Sequence, residues 1–218
     1  LGVMAFDCAE SENATWAIGA FTSSPDMKVQ DDRLSTSMTL RGTWLPWYDE
    51  ATEGRGLLHT GLAYSYRDAW RHQYFGEIRT AECYLGNKYD AVVAGVDHVN
   101  LVGAELAWVY GPLSLQSEYM VSLLQGNQID GQAADEYNPQ TFYVYASYFL
   151  TGEHRPYRRR EGWFGSVKPF ENFFRVRDAN GVMQTGLGAW EVAYRWSWLD
   201  LDDGPIRQGL WSNHTIGL

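Results

Sequence analysis

The stretch GAWEVAYRWSWLDL, residues Gly188–Leu201, decides how the rest of the chain is interpreted. Side chains of a β-strand point alternately to its two faces, so every second residue shares a face. One face of this stretch then carries Trp190, Val192, Tyr194, Trp196 and Trp198, and the other carries Glu191, Ala193, Arg195 and Ser197. In a soluble sandwich the aromatic face would form the core. In an outer-membrane barrel it would face lipid, and the charged face would line the lumen.

Composition keeps both structures open but excludes several classes of function. The 218 residues include 14 Tyr and 10 Trp, which suits a β protein with aromatic side chains at interfaces. No run approaches the roughly 18 apolar residues of a membrane helix. The net charge of −10 argues against a general nucleic-acid-binding protein, so no nucleic-acid partner is expected.

The charge is unevenly distributed along the chain. Glu153–Leu187 contains seven basic and four acidic side chains, a local charge of +3 that leaves −13 for the remainder. The basic residues are Arg155, Arg158, Arg159, Arg160, Lys168, Arg175 and Arg177. This segment either contacts anions, or it is a solvated basic turn that pairs with Glu161, Glu171 or anionic lipid head groups.

The two cysteines and the chain ends lead to further expectations. Cys8 and Cys83 fit no metal-ligand spacing, and we expect both to be unpaired. Neither a metal nor a cofactor is predicted. The chain begins at Leu1 and stops within a predicted strand, so we expect an interior fragment of a longer protein.

The alternation along the chain predicts an all-β, antiparallel structure with about nine or ten strands in one domain over residues 1–218. Two long stretches, Arg67–Val99 and Gly152–Leu187, break the alternation. Structureless connections of such length are uncommon in compact domains and are usually functional.

Two further features favour a membrane barrel over a soluble sandwich or jelly roll. Charged residues recur in mid-strand, at Arg41, Glu105, Glu118, Glu191 and Arg195, and short turns alternate with long loops. We therefore expect a row of apolar side chains on the convex, lipid-facing side. They are Trp16, Trp44, Leu62, Trp108, Tyr194 and Trp196.

Three blocks of sequence resemble the phosphate-selective porin O and P family. They are HVNLVGAELAWVYGPLSLQSEYM (His98–Met120), TGEHRPYRRREGWFGSVKPFENFF (Thr151–Phe174) and GLGAWEVAYRWSWLDLDD (Gly186–Asp203). LLHTGLAYSYRDA (Leu57–Ala69) and LRGTWLPW (Leu40–Trp47) resemble upstream parts of the same family. Several unrelated residue types recur at fixed spacing, and the resemblance covers nearly the whole chain.

The resemblance implies a fragment of a sixteen-stranded transmembrane β-barrel in the outer membrane of a Gram-negative bacterium. It implies a homotrimeric porin, not an enzyme, that passes phosphate or other small anions through a lumen lined by Arg and Lys. It also implies loops folded into the lumen, for which residues 67–99 and 152–187 are the candidates. One segment departs from the family pattern: FGEIRTAECYLGNKYD places Arg79 between Glu77 and Glu82, which weakens the expectation of phosphate selectivity.

The predicted anion pathway follows from the chemistry of guanidinium and ammonium groups. Arginine donates parallel hydrogen bonds to phosphate, and anion pores are lined by rings of Arg and Lys. The predicted residues are Arg41, Arg67, Arg79, Arg158, Arg159, Arg160, Lys168, Arg175, Arg177 and Arg195. The acids predicted to face the same lumen are Glu77, Glu105, Glu118 and Glu191.

Several alternative functions remain open from the sequence. A general or sugar-admitting porin would carry both signs of charge in its lumen. A soluble β-sandwich could bind carbohydrate, or cleave it with two of the carboxylates Glu105, Glu118 and Glu191. A hydrolase built on His59 and Ser65 is disfavoured because the chain has no G-x-S-x-G motif.

Overall fold

The computed structural model describes residues 1–23, 35–69, 73–79, 88–177 and 179–218, and for residues 23, 35, 73–79 and 88–92 it describes the backbone alone. The strands, in chain order, are β1 (Gly2–Cys8), β2 (Ala14–Ser23), β3 (Ser35–Tyr48), β4 (Gly56–Asp68), β5 (Gln73–Arg79), β6 (Lys88–Ala94), β7 (Val96–Tyr110), β8 (Leu113–Gly126), β9 (Glu136–Tyr137), β10 (Gln140–Phe149), β11 (Tyr157–Arg158), β12 (Trp163–Phe164), β13 (Phe174–Arg177), β14 (Met183–Gly186), β15 (Glu191–Asp203) and β16 (Ile206–Gly217). Two single-turn 3-10 helices span Glu50–Thr52 and Ile129–Gly131. None of the helices in the described ranges is long and apolar enough to span a membrane.

One antiparallel sheet contains all the long strands, in the order β1-β2-β3-β4-β7-β8-β10-β15-β16, and β9 pairs with β8 as a tenth strand. The predicted all-β class and the count of nine or ten strands are therefore confirmed. Three separate hairpins, β5–β6, β11–β12 and β13–β14, lie within the long connections. Over the described residues β1 and β16 are edge strands, so the sheet does not close on itself.

The lengths of the connections define the two ends of the sheet. The turns β1–β2, β3–β4 and β7–β8 lie at one end, which we call the short-turn end; the last of them is only Gly111–Pro112. The connection over residues 150–190, which we call the folded-back segment, also leaves from this end. At the opposite end β15 and β16 are joined by Gly204–Pro205 alone. The predicted alternation of short turns and long loops thus holds as far as β8 and reverses at the last three strands.

The strand register separates two faces. Arg41 lies opposite Ala17 and Ala63, and Glu105 lies opposite Gly61 and Glu118, so these residues share what we call the polar face. Glu191 and Arg195 join them through the pairing of β10 with β15.

The opposite, apolar face carries all six residues expected to point outward. Trp16, Trp44 and Leu62 are 50%, 58% and 67% exposed. No second sheet covers this face over the described ranges. The alternative of a soluble sandwich with an aromatic core is therefore wrong, because the large apolar side chains are the ones left uncovered.

Two boundaries differ from the sequence-based expectation. β4 extends to Asp68 and β7 begins at Val96, so Arg67 belongs to the sheet and the connection is shorter than Arg67–Val99. Asp68 pairs with His98 across the two strands, a long-range contact that local alternation does not reveal. The strand predicted over Gly188–Leu201 begins at Glu191 and runs to Asp203.

Two apolar clusters pack on the polar face, one near each end of the sheet. Near the short-turn end, Tyr157 of the folded-back segment packs with Leu45, Leu57 and Val109 of the wall. At the other end Val93, Val96, Val99, Leu124, Ile129, Tyr137 and Ile206 form a second cluster. A buried side chain of this size contributes about 1.5–3 kcal/mol, so both clusters hold connections against the wall.

Candidate functional site

The β11–β12 hairpin of the folded-back segment lies against the polar face. Gly162 forms its turn with a φ of +71°, and a Cβ there would lie 2.6 Å from Thr15 Oγ1 and 2.8 Å from Thr43 Oγ1. Such distances are shorter than van der Waals contact, so only glycine permits this approach. The absence of a side chain thus lets the hairpin settle directly on β2 and β3.

A buried carboxylate fastens the two ends of the folded-back segment. Glu153 is 2% exposed and accepts hydrogen bonds from the Thr151 hydroxyl and, at 3.0 Å, from the backbone N–H of Phe170. Thr151 Oγ1 in turn accepts from the backbone N–H of Trp190, at 3.0 Å. Burial acts to raise the pKa of Glu153, but the two hydrogen bonds outweigh it and hold the pKa below its usual value. The ionised carboxylate is therefore part of the folded structure.

Below the hairpin, an ion pair joins β3 to β7. Arg41 Nε donates to Glu105 Oε1 at 2.8 Å, and Arg41 Nη2 donates to Glu105 Oε2 at 2.7 Å. Arg41 Nη2 also donates to the Gly162 carbonyl at 3.2 Å. The pair thus neutralises one cation of the polar face and supports the hairpin turn.

His59 extends this network to the folded-back segment. Its Nε2 lies 3.2 Å from Glu105 Oε2, and its Nδ1 lies 2.7 Å from the Tyr157 hydroxyl. A carboxylate only accepts, so Nε2 donates to Glu105, and Nδ1 shares the second hydrogen bond with the Tyr157 hydroxyl. Burial raises the pKa of Tyr157 to about 12, which keeps the phenol protonated for this role. His59 therefore positions the segment, and its described hydrogen bonds go to Glu105 and Tyr157 and not to Ser65.

Arg155 is the arginine of the folded-back segment that reaches across the polar face. Its Nη1 donates to Gln116 Oε1 at 2.8 Å and to Ser114 Oγ at 3.4 Å. The guanidinium lies 4.2 Å from the ring centroid of Phe164 and 5.7 Å from that of Tyr145. Burial lowers the pKa of Arg155, although guanidinium remains protonated at any physiological pH. These direct contacts are with neutral groups, and the nearby Glu191 carboxylate attracts the guanidinium without a direct contact among the described residues.

Arg195 continues the row of charges on β15. Its Nε donates to Ser197 Oγ at 3.0 Å, and its guanidinium lies 4.0 Å from the ring centroid of Tyr143. The Tyr143 hydroxyl donates to Glu118 Oε1 at 2.6 Å, and the Tyr145 hydroxyl donates to Glu191 Oε1 at 3.1 Å. Cations, tyrosines and acids therefore alternate along the row. We call it the charged belt: Arg41, Glu105, Glu118, Arg155, Glu191 and Arg195.

A cavity of about 260 Å³ lies between the β11–β12 hairpin and the wall. Arg41, Glu105, Glu118 and Arg155 all line it, together with Gln116. A small polar solute in this cavity would touch fixed charges of both signs. The belt and this cavity form the candidate site.

Two of the predicted pathway arginines lie at the short-turn end in contact with carboxylates. Arg159 donates to both carboxylate oxygens of Glu50, at 2.8 and 3.0 Å, and its guanidinium lies 4.5 Å from the ring centroid of Tyr48. Arg160 Nε donates to Glu12 Oε1 at 2.7 Å. These contacts tie the folded-back segment to the turns β1–β2 and β3–β4, and the part of both residues in an anion pathway stays a prediction.

The remaining predicted residues do not gather at the belt by any described contact. Arg158, Lys168, Arg175 and Arg177 are exposed along the folded-back segment, and Arg67 is exposed on β4. The side chains of Glu77 and Arg79 and the whole of Cys83 lie outside what the structure describes. Cys8 is a free thiol. Within the described ranges, no cluster of three His, Cys, Asp or Glu residues could hold a metal ion.

Sequence reasoning missed Arg155 and His59 as members of the site. The sequence places Arg155 in the basic segment, but nothing local distinguishes it from the arginines that follow. The signal that could have found it is its position two residues after Glu153, the buried carboxylate at the start of the folded-back segment.

Comparison with known proteins agrees with this architecture. A family model described as phosphate-selective porin O and P matches residues 3–218. Porin O of Pseudomonas aeruginosa is 28% identical over 208 residues, which cover 87% of this chain and 43% of that protein. The chain thus spans less than half the length of this relative.

Proposed function

Because the chain belongs to the phosphate-selective porin O and P family, we propose that it forms part of an outer-membrane channel through which small anions diffuse passively. Proteins of this family are porins of the Gram-negative outer membrane, which are channels and not enzymes. In such a barrel the apolar face meets lipid and the polar face lines the lumen. A charge on the lipid-facing side would cost about 2–4 kcal/mol near the bilayer centre, and here the charges of the belt share the other face.

The folded-back segment then narrows the lumen from the short-turn end. Gly162, Tyr157 and Arg155 all contact the polar face, so the segment occupies space that solutes would otherwise pass through. Phosphate and polyphosphate are the anions that its basic composition suits best. The exposed side chains of Arg158, Lys168, Arg175 and Arg177 would add positive charge on either side of the narrowing, and Arg79 would belong to the same track. We expect the full-length protein to be a homotrimer, as the resemblance implies.

The proposal depends mainly on one observation, the position of Arg155 on the polar face beside neutral groups. The contacts of Arg155 are with an amide oxygen, a hydroxyl and two aromatic rings, and none of these groups cancels its charge. Arg41, in contrast, is matched by Glu105 in a two-point ion pair. Glu191 attracts Arg155 from nearby, but no carboxylate of the described residues forms an ion pair with it, so an anion in the 260 Å³ cavity could contact its guanidinium directly.

The acids of the belt also support conduction. A pore must bind its solute weakly enough to release it, and Glu118 lines the same cavity as Arg155. A carboxylate that lines the same cavity repels a bound anion and so weakens its binding, without removing the attraction of the guanidinium. The belt then acts as one weak site among several.

A second candidate, a general or sugar-admitting porin of the same fold, is favoured by the charge balance of the belt. Three arginines face three glutamates, and Tyr143 and Tyr145 lie among them. Mixed charges and aromatic side chains suit neutral polar solutes as well as anions. The two candidates differ in one property: the first channel prefers anions over cations, and the second does not.

The test is the reversal potential of the full-length porin in a planar lipid bilayer that separates two KCl concentrations. We expect chloride to be favoured over potassium, and Arg155→Gln to lower that preference several-fold. Arg207→Gln is the matched control, since Arg207 is an exposed arginine that pairs with Asp202 and is not among the pathway residues. A channel without anion preference, unchanged by Arg155→Gln, would support the general porin instead.

A further inference from the structure

An apolar cavity of about 340 Å³ lies on the polar face. It adjoins the charged belt on the side that faces away from the short-turn end. Its partly exposed wall is formed by Leu101, Met120 and Leu199, and its floor by the buried side chains of Leu124, Tyr137 and Leu201. Met120 follows Glu118 by two residues on β8 and so occupies the next position on the same face. A lumen is expected to be polar, and an apolar surface in contact with its water is unfavourable. An apolar group of a solute would therefore be stabilised against the exposed part of this wall, of which Met120 is 46% exposed.

The guanidinium of Arg67 lies at the border of this cavity. Arg67 is exposed, and its Nε donates to Ser65 Oγ at 3.4 Å. Ser65 lines the cavity and shares a 2.9 Å hydrogen bond with Thr39, which also lines it. An apolar cavity thus adjoins two hydroxyls and a guanidinium, which together can bind an anionic group.

We propose that the channel binds organic anions that have an apolar body, such as aryl phosphates, with the ring in this cavity and the anionic group on Arg67. The proposal rests on the proposed function, since the solute must enter as an anion. Volumes of about 300 Å³ and more are typical of small-molecule sites, and such sites combine apolar walls with a few polar groups. An inorganic anion would gain nothing from the apolar walls, so the cavity selects among anions and does not merely attract them.

Two probes with the same head group isolate the contribution of the cavity. Methyl phosphate and phenyl phosphate are added separately to the full-length porin in a planar bilayer, and the concentration that halves the chloride current is measured for each. We expect phenyl phosphate to act at about tenfold lower concentration, because its ring leaves water for an apolar surface. Their ratio cancels the interaction of the phosphate group, which both probes share.

Three substitutions test the geometry. Met120→Gln keeps the length of the side chain but makes the wall polar, and it should bring the ratio close to one without changing the block by methyl phosphate. Met4→Gln is the matched control, because Met4 lies on the same face of β1 and does not line this cavity. Arg67→Gln should weaken the block by both probes and leave their ratio unchanged.

The outcomes separate this inference from the proposed function. A reversal potential without anion preference overturns the proposed function. An anion-selective channel with a ratio near one, as expected if a segment of the chain itself fills the cavity, overturns only this inference. A high ratio that survives Met120→Gln also overturns it, provided that unblocked conductance shows a folded channel. If Met120→Gln does not fold, Leu199→Gln tests the same wall on β15.

Discussion

Replacing Glu105 by Gln should weaken the contact between the folded-back segment and the wall. Glu105 accepts two hydrogen bonds from Arg41, at 2.8 and 2.7 Å, and one from His59, at 3.2 Å. An amide has only one acceptor oxygen, and its NH₂ group would face donors on either side. At least one of the three hydrogen bonds is therefore lost, and Arg41 is left without its counter-charge.

The expected loss of unfolding free energy is about 2 kcal/mol. Fully buried charge-assisted hydrogen bonds contribute about 1.5–3 kcal/mol each, whereas exposed ion pairs contribute about 0–1 kcal/mol. The side chains of Arg41 and Glu105 are 34% and 21% exposed, so solvent screens part of the interaction. The expected loss of unfolding free energy therefore lies between the value for an exposed ion pair and the upper value for a buried one.

Glu118→Gln is the matched control, since Glu118 lies directly opposite Glu105 on β8. Gln116 and Tyr143 both donate to Oε1 of Glu118, and an amide oxygen can keep both hydrogen bonds. Removing its charge also relieves repulsion between two opposed carboxylates. The control should therefore cost less than about 0.5 kcal/mol.

The assay is urea unfolding of the full-length porin in lipid vesicles, followed by tryptophan fluorescence and fitted for the free energy of unfolding. A Glu105→Gln loss no larger than that of Glu118→Gln would refute the reasoning. It would show that solvent screens the Arg41–Glu105 pair completely and that apolar packing around Tyr157 holds the segment.

Three further outcomes are expected. Leu62→Arg, on the apolar face, should lower the free energy of unfolding in vesicles by about 2–4 kcal/mol. Met120→Arg, on the polar face, should lower it clearly less. Equal losses in urea titrations would contradict the assignment of faces. Because the folded state holds the pKa of Glu153 below its ordinary value, its stabilising contribution is present above that ordinary value and is lost as the pH falls through the folded pKa. Unfolding free energies measured between about pH 6 and pH 3 should therefore fall less steeply in Glu153→Gln. Replacing Arg175 and Arg177 together by Ala should lower the anion-to-cation permeability ratio with little effect on folding, and an unchanged ratio would remove both residues from the proposed pathway.

The sequence by itself determined the two faces of the sheet. Trp44 and Arg41 fall on opposite faces because alternation of side chains is a local property of an extended backbone, and Trp196 and Arg195 do so for the same reason. The all-β class and the number of strands follow from the same pattern. Local alternation did not reveal where a strand stops, and Arg67 belongs to β4 because Asp68 finds a partner in His98.

Only the tertiary structure decided which basic side chains reach the charged belt. Arg155 and Arg159 are four residues apart in one basic segment, yet Arg155 contacts Gln116 and Arg159 contacts Glu50. Those partners lie 39 and 109 residues away along the chain. The path of the segment depends on the close approach of Gly162 to β2 and β3 and on the buried hydrogen bonds of Glu153. Such contacts form between distant parts of the chain, and their free energy depends on packing that no local pattern of residues encodes.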